Sequence, residues 1–439
     1  MAKHTFTSSK ALNGRLRVPG DKSISHRALM FSSLAVGEST IEGLLEGEDV
    51  LATAAAMRQL GADIIREDDG VWHVHGVGLG GLLEPAQALD MGNSGTSTRL
   101  LMGLLASHGF SATFTGDSSL SGRPMNRIIE PLSQMGATFE ASSGGTLPLM
   151  LRGALPAVPI RYRLPVASAQ VKSAILLAGL NTPGITTVIE PVATRDHTER
   201  MLRGFGAMLN IDEEDGARVI SVYGEADLNP QRVTVPGDPS SAAFFIVAAL
   251  IVPGSDLVIE NVGLNSTRAG LIEALRAMGG TIEELSQREV GGEPVADLRV
   301  SHSALYGAEI DPALVPSMID EFPVLFVAAA LAEGTTVTTG LEELRVKESD
   351  RLATMAAALT LAGARVEEHE DGLTIHGTGG EPLQGTPEGA SVETKLDHRI
   401  AMAMAVGGLA SRDGVSVDDV SPIATSFPTF VELMEDAAS

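Results

Sequence analysis

The sequence predicts an α/β protein of two globular domains, each built from three copies of one repeated βαβαββ unit. The frame Val18-Pro-Gly-Asp21 recurs far downstream as Val235-Pro-Gly-Asp238. Each copy is followed by a polar turn, an apolar helix of about three turns, a glycine and a short strand. Comparison of the chain with itself extends this pair to six repeats spaced at roughly 70–85 residues, which indicates a repeat architecture.

Each repeat is predicted to run from a short strand and polar turn into an apolar helix, then a β-branched strand, an amphipathic helix and further strands. The apolar helices are expected at residues 24–34, 96–106, 171–178, 241–251, 321–332 and 399–410. β-Branched strands follow, for example at 186–190 and 335–339. The amphipathic helices are expected to end at Gly61, Gly136, Gly206, Gly279 and Gly363.

The sixth repeat is short, because no further strands follow residues 427–434. The segment before Val18 is therefore expected to complete that sheet. This predicts one domain of residues 20–236 and a second, discontinuous domain of residues 1–19 and 237–439. The chain would cross twice between them, forming a hinge over a cleft, and ligand sites favour such places.

Composition excludes several classes of function. The 31 basic and 56 acidic residues give a net charge of −25, which disfavours nucleic-acid and anionic-membrane partners. The absence of cysteine excludes disulfides, a thiolate nucleophile and a Cys-ligated metal. The apolar runs are too short to span a bilayer and no signal-peptide pattern is visible, so a cytoplasmic protein is expected.

Polar and cationic side chains concentrate at the turns that enter the apolar helices. Helix N-termini attract anions through free N–H groups and partial positive charge. A second set of cations precedes the amphipathic helices. In so acidic a chain, cations that converge on one cleft indicate small anionic substrates. The residues concerned are Lys22, Ser23, Arg27, Gly95, Ser168, Ala169, Gln170, Asp320 and Arg399 in the first set, and Arg123, Arg195, Lys347 and Arg351 in the second.

Structural explanations compete with these assignments. A serine at a helix start, such as Ser241, is usually a cap, and the cluster of Lys347, Glu348 and Arg351 could be a surface ion-pair network. The Gly76–Gly81 motif is followed by Pro85 rather than by a helix, so it is not a dinucleotide site. The ten histidines are scattered, so no metal and no cofactor are expected.

Six motifs occur in order along the chain: GDKSISHR at 20–27, GNSGT at 92–96, GRPM at 122–125, SAQVKS at 168–173, LRVKESDR at 344–351 and DHRIAM at 397–402. Over nearly the whole chain, these motifs resemble the 5-enolpyruvylshikimate-3-phosphate (EPSP) synthase family. Ala169 and the segment 181–184 further resemble the bacterial subgroup noted for herbicide-tolerant members. The resemblance implies the enolpyruvyl transferase fold, an inverse α/β barrel of two globules with three βαβαββ units each.

The resemblance also implies the reaction. Phosphoenolpyruvate would give its enolpyruvyl group to the 5-hydroxyl of shikimate 3-phosphate and release phosphate, on the route to chorismate and the aromatic amino acids. Shikimate 3-phosphate would be held by Lys22, Ser23, Arg27, Ser168, Ala169, Gln170, Arg195, Asp320 and Lys347. Phosphoenolpyruvate would be held by Lys22, Gly95, Arg123, Gln170, Arg351 and Arg399.

Three residues are expected to move protons. Asp320 would be the general base on the hydroxyl, and nearby cations would keep it ionised. Glu348 and Lys22 are both candidates for protonating the methylene carbon, and the sequence does not distinguish them. No P–O bond breaks, so Arg and Lys side chains can neutralise the phosphates without a metal.

Two positions depart from the family pattern. Thr425 stands where many members carry a lysine, and Leu100 stands where many carry a proline. Glyphosate is a candidate inhibitor, but Gly95 leaves room for it whereas Leu100 could shift the helix that positions Gly95. The sequence therefore leaves glyphosate sensitivity open.

Other functions fit the sequence less well. A UDP-N-acetylglucosamine enolpyruvyl transferase usually carries a loop cysteine, which this chain lacks. A non-catalytic binding protein should have lost Lys22, Asp320 or Glu348, and all three are present. An RNA-end-processing enzyme is disfavoured by the acidic surface. A monomer is expected, because closure around two small substrates needs only one chain.

Overall fold

The computed structural model describes residues 3–225 and 227–438, and the chain divides into two compact units. Unit A is Gly20–Val235, and unit B is Met1–Pro19 together with Pro236–Ser439. Each unit has its own hydrophobic core, of mostly aliphatic side chains. That the units are separate domains, with a boundary at 236/237 and a hinge, stays a prediction.

The helices alternate between buried and amphipathic ones along each unit. The α-helices are α1 (Lys22–Leu34), α2 (Glu48–Gln59), α3 (Gly95–Leu105), α4 (Ser118–Ser121), α5 (Asn126–Gln134), α6 (Ala169–Leu180), α7 (His197–Gly204), α8 (Pro239–Ile251), α9 (Gly270–Ala277), α10 (Val315–Met318), α11 (Phe322–Leu331), α12 (Arg351–Leu361), α13 (His398–Leu409) and α14 (Phe430–Ala437). Short 3₁₀ helices lie at Leu79–Gly81, Pro312–Leu314, Glu342–Val346 and Ser421–Thr425.

The strands are short and belong to small sheets. They are β1 (His4–Phe6), β2 (Asn13–Arg17), β3 (Val36–Glu42), β4 (Asp63–Arg66), β5 (Trp72–Val77), β6 (Leu89–Asp90), β7 (Ser111–Thr115), β8 (Thr138–Ser142), β9 (Thr146–Arg152), β10 (Arg161–Arg163), β11 (Ile185–Glu190), β12 (Leu209–Glu214), β13 (Ala217–Tyr223), β14 (Arg232–Thr234), β15 (Asp256–Gly263), β16 (Thr281–Val290), β17 (Glu293–Ser301), β18 (Thr335–Val337), β19 (Arg365–Glu368), β20 (Leu373–His376) and β21 (Val415–Val417).

One sheet pattern recurs through the repeats. The orders are β14-β3-β5-β4, β6-β7-β9-β8 and β10-β11-β13-β12 in unit A, and β2-β15-β17-β16, β18-β20-β19 and β1-β21 in unit B. In each four-stranded sheet the first pair is parallel and the other two pairs are antiparallel. The predicted repeat is thereby confirmed. None of these described sheets closes on itself, so the barrel that the resemblance implies is not a closed sheet.

The six predicted apolar helices are confirmed as α1, α3, α6, α8, α11 and α13. Helices that are apolar on all sides must be covered on all sides. Every residue of α8 and of α11 is buried, and these two helices pack against each other and against α13 in unit B. In unit A, α3 packs on α6 where Gly103 meets Ala174, and a Cβ on Gly103 would lie 2.3 Å from the Ala174 carbonyl oxygen.

The N-terminal segment forms two strands, which corrects the expectation that the piece before Val18 completes the sixth repeat. β1 does pair with β21 of that repeat, antiparallel. The strand directly before Val18, β2, instead pairs with β15 of the fourth repeat. Correspondingly, β14, directly before Val235, pairs with β3 of the first repeat. The segments before the two Val-Pro-Gly-Asp frames thus complete sheets in opposite units.

Among the residues that the structure describes, no helix has the length and apolar composition needed to cross a membrane.

Candidate functional site

The first helix of unit A opens with the cationic motif. The Asp21 carboxylate caps α1 by accepting the N–H of Ile24 at 2.9 Å. Lys22, the first helical residue, is half-buried and forms an ion pair with the Asp49 carboxylate of α2. Asp49 was not predicted as a site residue, because an acidic residue in the first turn of an amphipathic helix is ordinary.

Arg27 is buried one turn further along α1, 4% exposed. Its Nη1 donates to the Ser23 carbonyl at 2.9 Å, its Nε to the Thr198 hydroxyl at 2.7 Å and its Nη2 to the Ser173 hydroxyl at 2.8 Å. These three contacts orient the guanidinium. A charge held in this way can bind an anionic group.

A chain of buried hydroxyls joins the starts of α1, α2 and α3. His26 Nδ1 lies 2.7 Å from Thr53 Oγ1, which lies 2.6 Å from Ser97 Oγ, and Ser97 in turn lies 2.6 Å from Ser94 Oγ. Burial lowers the pKa of His26 well below its usual value, and the charges of Lys22 and Arg27 lower it further. His26 is therefore neutral at pH 7, and it links the helix starts rather than binding an anion.

Gly95, Arg123 and Gln170 are brought together at the start of α3. A Cβ on Gly95 would lie 2.8 Å from Arg99 Nη1 and 3.2 Å from Arg123 Nη1. The Gln170 amide accepts from Arg99 at 2.9 Å and donates to the Thr96 hydroxyl at 3.0 Å. Arg99, three residues after the motif at 92–96, was not predicted as a site residue, because a helical arginine is usually solvated.

The other predicted residues of unit A lie at element ends. Ser168 caps α6, its hydroxyl accepting the N–H of Val171 at 3.4 Å, and Ala169 is the first residue of that helix. Arg195 is partly exposed in the loop before α7. Arg123, 9% exposed, lies before α5 and donates to Asn93 Oδ1 at 2.8 Å and to the Ser119 hydroxyl at 3.0 Å.

Arg351 is the centre of the cluster in unit B. It is 1% exposed, and its guanidinium contacts Asp397 Oδ2 at 2.8 Å, Asp320 Oδ1 at 3.2 Å and Glu348 Oε2 at 2.5 Å. Burial by itself lowers the pKa of this guanidinium, but the three carboxylates outweigh burial and raise it above its usual value. The alternative of a surface ion-pair network is excluded for Arg351 by its burial.

Asp320 and Arg399 complete this cluster. The Lys347 ammonium lies 3.9 Å from Asp320 Oδ1, and Arg399 Nη1 donates to the Asp320 carbonyl at 3.1 Å. Asp397, which is fully buried, caps α13 by accepting the N–H of Arg399 at 3.0 Å. Unit B therefore brings together all five of its predicted residues, and Asp397, predicted only as part of a motif, joins them.

The two departures from the family pattern also have definite places. Thr425 ends a 3₁₀ helix, and its hydroxyl donates to the Pro422 carbonyl at 2.8 Å. Leu100 is fully buried inside α3. Among residues 3–225 and 227–438, no group of three or more acidic, histidine or cysteine side chains is arranged to hold a metal ion.

Comparisons with known proteins cover both units. The family model described as EPSP synthase (3-phosphoshikimate 1-carboxyvinyltransferase) matches residues 6–434. A 3-phosphoshikimate 1-carboxyvinyltransferase of Novosphingobium aromaticivorans is 73% identical over 438 residues, which are 100% of this chain and 99% of the relative. The solved EPSP synthase of Acinetobacter baumannii matches with a TM-score of 0.87 at 47% identity, over 99% of this chain and 98% of that one.

A more distant solved structure shares the fold. The enolpyruvyl transferase NikO of Streptomyces tendae has a TM-score of 0.77 at 20% identity, over 99% of this chain and 96% of its own.

Proposed function

The chain belongs to the EPSP synthase family, and from this premise we propose how its residues carry out the family's reaction. That reaction transfers the enolpyruvyl group of phosphoenolpyruvate to the 5-hydroxyl of shikimate 3-phosphate and releases phosphate. The observation that carries the proposal is the setting of Asp320: a carboxylate 3.2 Å from Arg351 and 3.9 Å from Lys347. Neighbouring cations favour the carboxylate form, which can accept a hydroxyl proton.

Shikimate 3-phosphate is proposed to bind through cations and hydroxyls. Arg27 supports this role because it is a buried cation whose guanidinium is oriented by Ser23, Ser173 and Thr198. The N-terminus of α6, capped by Ser168, offers free N–H groups. The full proposed set is Lys22, Ser23, Arg27, Ser168, Ala169, Gln170, Arg195, Asp320 and Lys347.

Phosphoenolpyruvate is proposed to bind through Lys22, Gly95, Arg123, Gln170, Arg351 and Arg399. The absence of a side chain at Gly95 supports this, because a Cβ there would approach Arg123 Nη1 to 3.2 Å and occupy space beside the guanidinium. Arg99 holds the Gln170 amide and is proposed as an additional positioning residue. Guanidinium groups match carboxylate and phosphate oxygens in pairs of hydrogen bonds.

The proposed chemistry is addition followed by elimination. A proton is added to the methylene carbon of phosphoenolpyruvate, and the 5-hydroxyl oxygen bonds to the adjacent carbon as Asp320 takes the hydroxyl proton. The tetrahedral intermediate then loses a methyl proton and breaks its carbon–oxygen bond to phosphate, which gives the enol ether. The cations stabilise the phosphate charge during both steps.

Lys22 is proposed as the donor of the methylene proton. Its amino group is held in place by the Asp49 carboxylate. Glu348 lies 2.5 Å from Arg351, a contact that favours the ionised carboxylate, and it is proposed to take the proton back during elimination. Lys22→Met should then abolish incorporation of solvent deuterium into the methylene group, which mass spectrometry would detect.

The deciding experiment measures phosphate release when the protein is mixed with both substrates in EDTA, with each substrate omitted in turn. Release that requires both substrates supports the transfer and its independence of metal. No release from protein that binds both ligands would contradict the proposal. Asp320→Asn, which keeps the shape and removes the charge, is the matched control for contaminating phosphatase activity.

Membership of the glyphosate-tolerant subgroup is also a proposal. Ala169 at the start of α6 and the segment 181–184 after it support it. Because Gly95 leaves space beside Arg123, the proposed tolerance would depend on the buried Leu100 of α3, at the position where many family members carry proline. An inhibition curve with phosphoenolpyruvate as competitor tests this, and half-inhibition by glyphosate well below the phosphoenolpyruvate concentration would contradict it.

A monomeric state and a cytoplasmic location are proposed as well. Each predicted ligand-binding group belongs to this one chain, which supports a monomer. Sedimentation equilibrium with and without both substrates measures the mass directly, and a mass of twice 45.6 kDa would contradict the monomer. Cell fractionation tests the location.

A further inference from the structure

Unit A contains a fully buried cluster of charges that the proposed reaction does not use. Lys172 in α6 is 0% exposed, and its Nζ lies 3.0 Å from Glu190 Oε1 and 2.9 Å from Glu199 Oε1. Glu190 ends β11 and Glu199 lies in the first turn of α7. Arg218 of β13, which is partly exposed, lies 3.5 Å from Glu190 Oε2. Burying such charges is costly, and apolar residues could fill the same volume more favourably.

The cluster holds the loop that carries Arg195. Glu190 Oε1 accepts the backbone N–H of Thr194 at 3.0 Å and also accepts its hydroxyl. From the other side, Lys172 Nζ donates to the Thr194 carbonyl at 3.4 Å. Both backbone groups of the residue before Arg195 are therefore bound to buried charges, which fixes where the Arg195 side chain begins.

The same cluster holds Arg27. Thr198 and Ser173, the residues next to Glu199 and Lys172 in sequence, are hydrogen-bonded to each other at 2.7 Å. Both hydroxyls accept from the Arg27 guanidinium, at 2.7 and 2.8 Å. The ion pair between Lys172 and Glu199 thus connects α6 to α7 beside the two hydroxyls that bind Arg27.

We propose that Lys172, Glu190 and Glu199 are positioning residues that set the two arginines for binding shikimate 3-phosphate. This rests on the proposed function, in which Arg27 and Arg195 bind that substrate. The three side chains are buried, so we place them behind the arginines and not in contact with substrate. They fix Arg27 through its guanidinium and Arg195 through the backbone of the preceding residue. A displacement of about 1 Å at a substrate-binding group can lower the rate about 100-fold.

The test compares Lys172→Met with the wild type by steady-state kinetics and by calorimetric binding of shikimate 3-phosphate. We expect the dissociation constant and the KM for shikimate 3-phosphate to rise about tenfold or more, with the KM for phosphoenolpyruvate changed by less than about twofold. Lys172→Arg, which keeps the charge, should recover part of the lost affinity for shikimate 3-phosphate. Equal changes in both KM values, or no change in either, would overturn the proposal.

Two further variants keep the test decisive. Glu199→Gln removes one charge but leaves Lys172 paired with Glu190, so this variant should fold even if Lys172→Met does not. It should show the same selective rise in the KM and dissociation constant for shikimate 3-phosphate. Leu177→Ala creates a cavity in the same helix without touching the cluster, so it should lower the melting temperature without changing the ratio of the two KM values.

Failure of the inference differs from failure of the proposed function. If the wild type releases no phosphate from the two substrates, the proposed function fails. The calorimetric constants of the variants then decide the inference alone: selectively weakened binding of shikimate 3-phosphate supports it, and unchanged or absent binding in both wild type and variant overturns it.

Discussion

At the scale of the residue, the same side-chain type has different partners at different places. Arg27 contacts two hydroxyls and a carbonyl. Arg351 contacts three carboxylates, which stabilise it in a fully buried position. An arginine in a motif therefore predicts a site, whereas the groups that hold its guanidinium are decided by the tertiary structure.

Asp320→Ala is expected to fold almost normally and to lose turnover by about 100-fold or more, as for loss of a general base. Folding should survive because Arg351 keeps its contacts with Asp397 and Glu348. Phosphate release gives kcat and thermal denaturation reports the fold. Wild-type kcat in this variant would exclude Asp320 as the base.

Gly95→Ala is expected to raise the KM for phosphoenolpyruvate about tenfold with little effect on that for shikimate 3-phosphate. The added methyl group would lie 2.8 Å from Arg99 Nη1 and 3.2 Å from Arg123 Nη1, so the guanidinium ends must move. Steady-state kinetics with each substrate varied tests this selectivity. A larger rise in the KM for shikimate 3-phosphate would contradict the prediction and would place Gly95 beside that substrate.

His26 should make stability depend on pH near neutrality. Its pKa is lowered in the folded state, so between that value and the ordinary 6.5 only the unfolded chain binds the proton. Stability is therefore complete above pH 6.5 and falls as the pH is lowered, by up to about 1.4 kcal/mol per pH unit. Urea unfolding at several pH values should show a smaller slope for His26→Gln. Identical slopes would show that His26 does not contribute.

At the scale of the element, the turn before a helix both starts the helix and supplies the site. Asp21, Asp238 and Asp397 cap α1, α8 and α13 through their side chains. The cap is a local property that the sequence predicts. The partners beyond the cap, such as Arg351 for Asp397, come from another repeat and were not predicted.

Asp397→Ala is expected to destabilise the protein by about 3–5 kcal/mol, because it removes a cap and a carboxylate from a buried arginine. Asp350→Ala, the matched control, removes the cap of α12 and a partly exposed contact with Arg345, and should cost about 1 kcal/mol. Urea unfolding measures both. Equal losses would show that the pair with Arg351 contributes little.

At the scale of the whole molecule, the chain carries many more acidic than basic residues. Because the net charge is −25, the acidic side chains should repel one another at low ionic strength, and salt should screen this repulsion. We expect the melting temperature to rise as NaCl is raised from about 10 to about 200 mM, while the KM values of both anionic substrates also rise. A neutral solute at equal osmolality is the control. A melting temperature that falls with NaCl would contradict the prediction.

The sequence by itself determined the six repeats, the apolar helices and the candidate site residues, because each is a local pattern of hydrophobicity, glycine and motif. Tertiary structure alone decided that β2 joins the fourth repeat while β14 joins the first, since strand pairing is long-range. It also decided that Lys172, within a predicted motif, is buried between Glu190 and Glu199. The burial and the partners of a charged side chain depend on residues distant in sequence, so a local sequence pattern does not predict them.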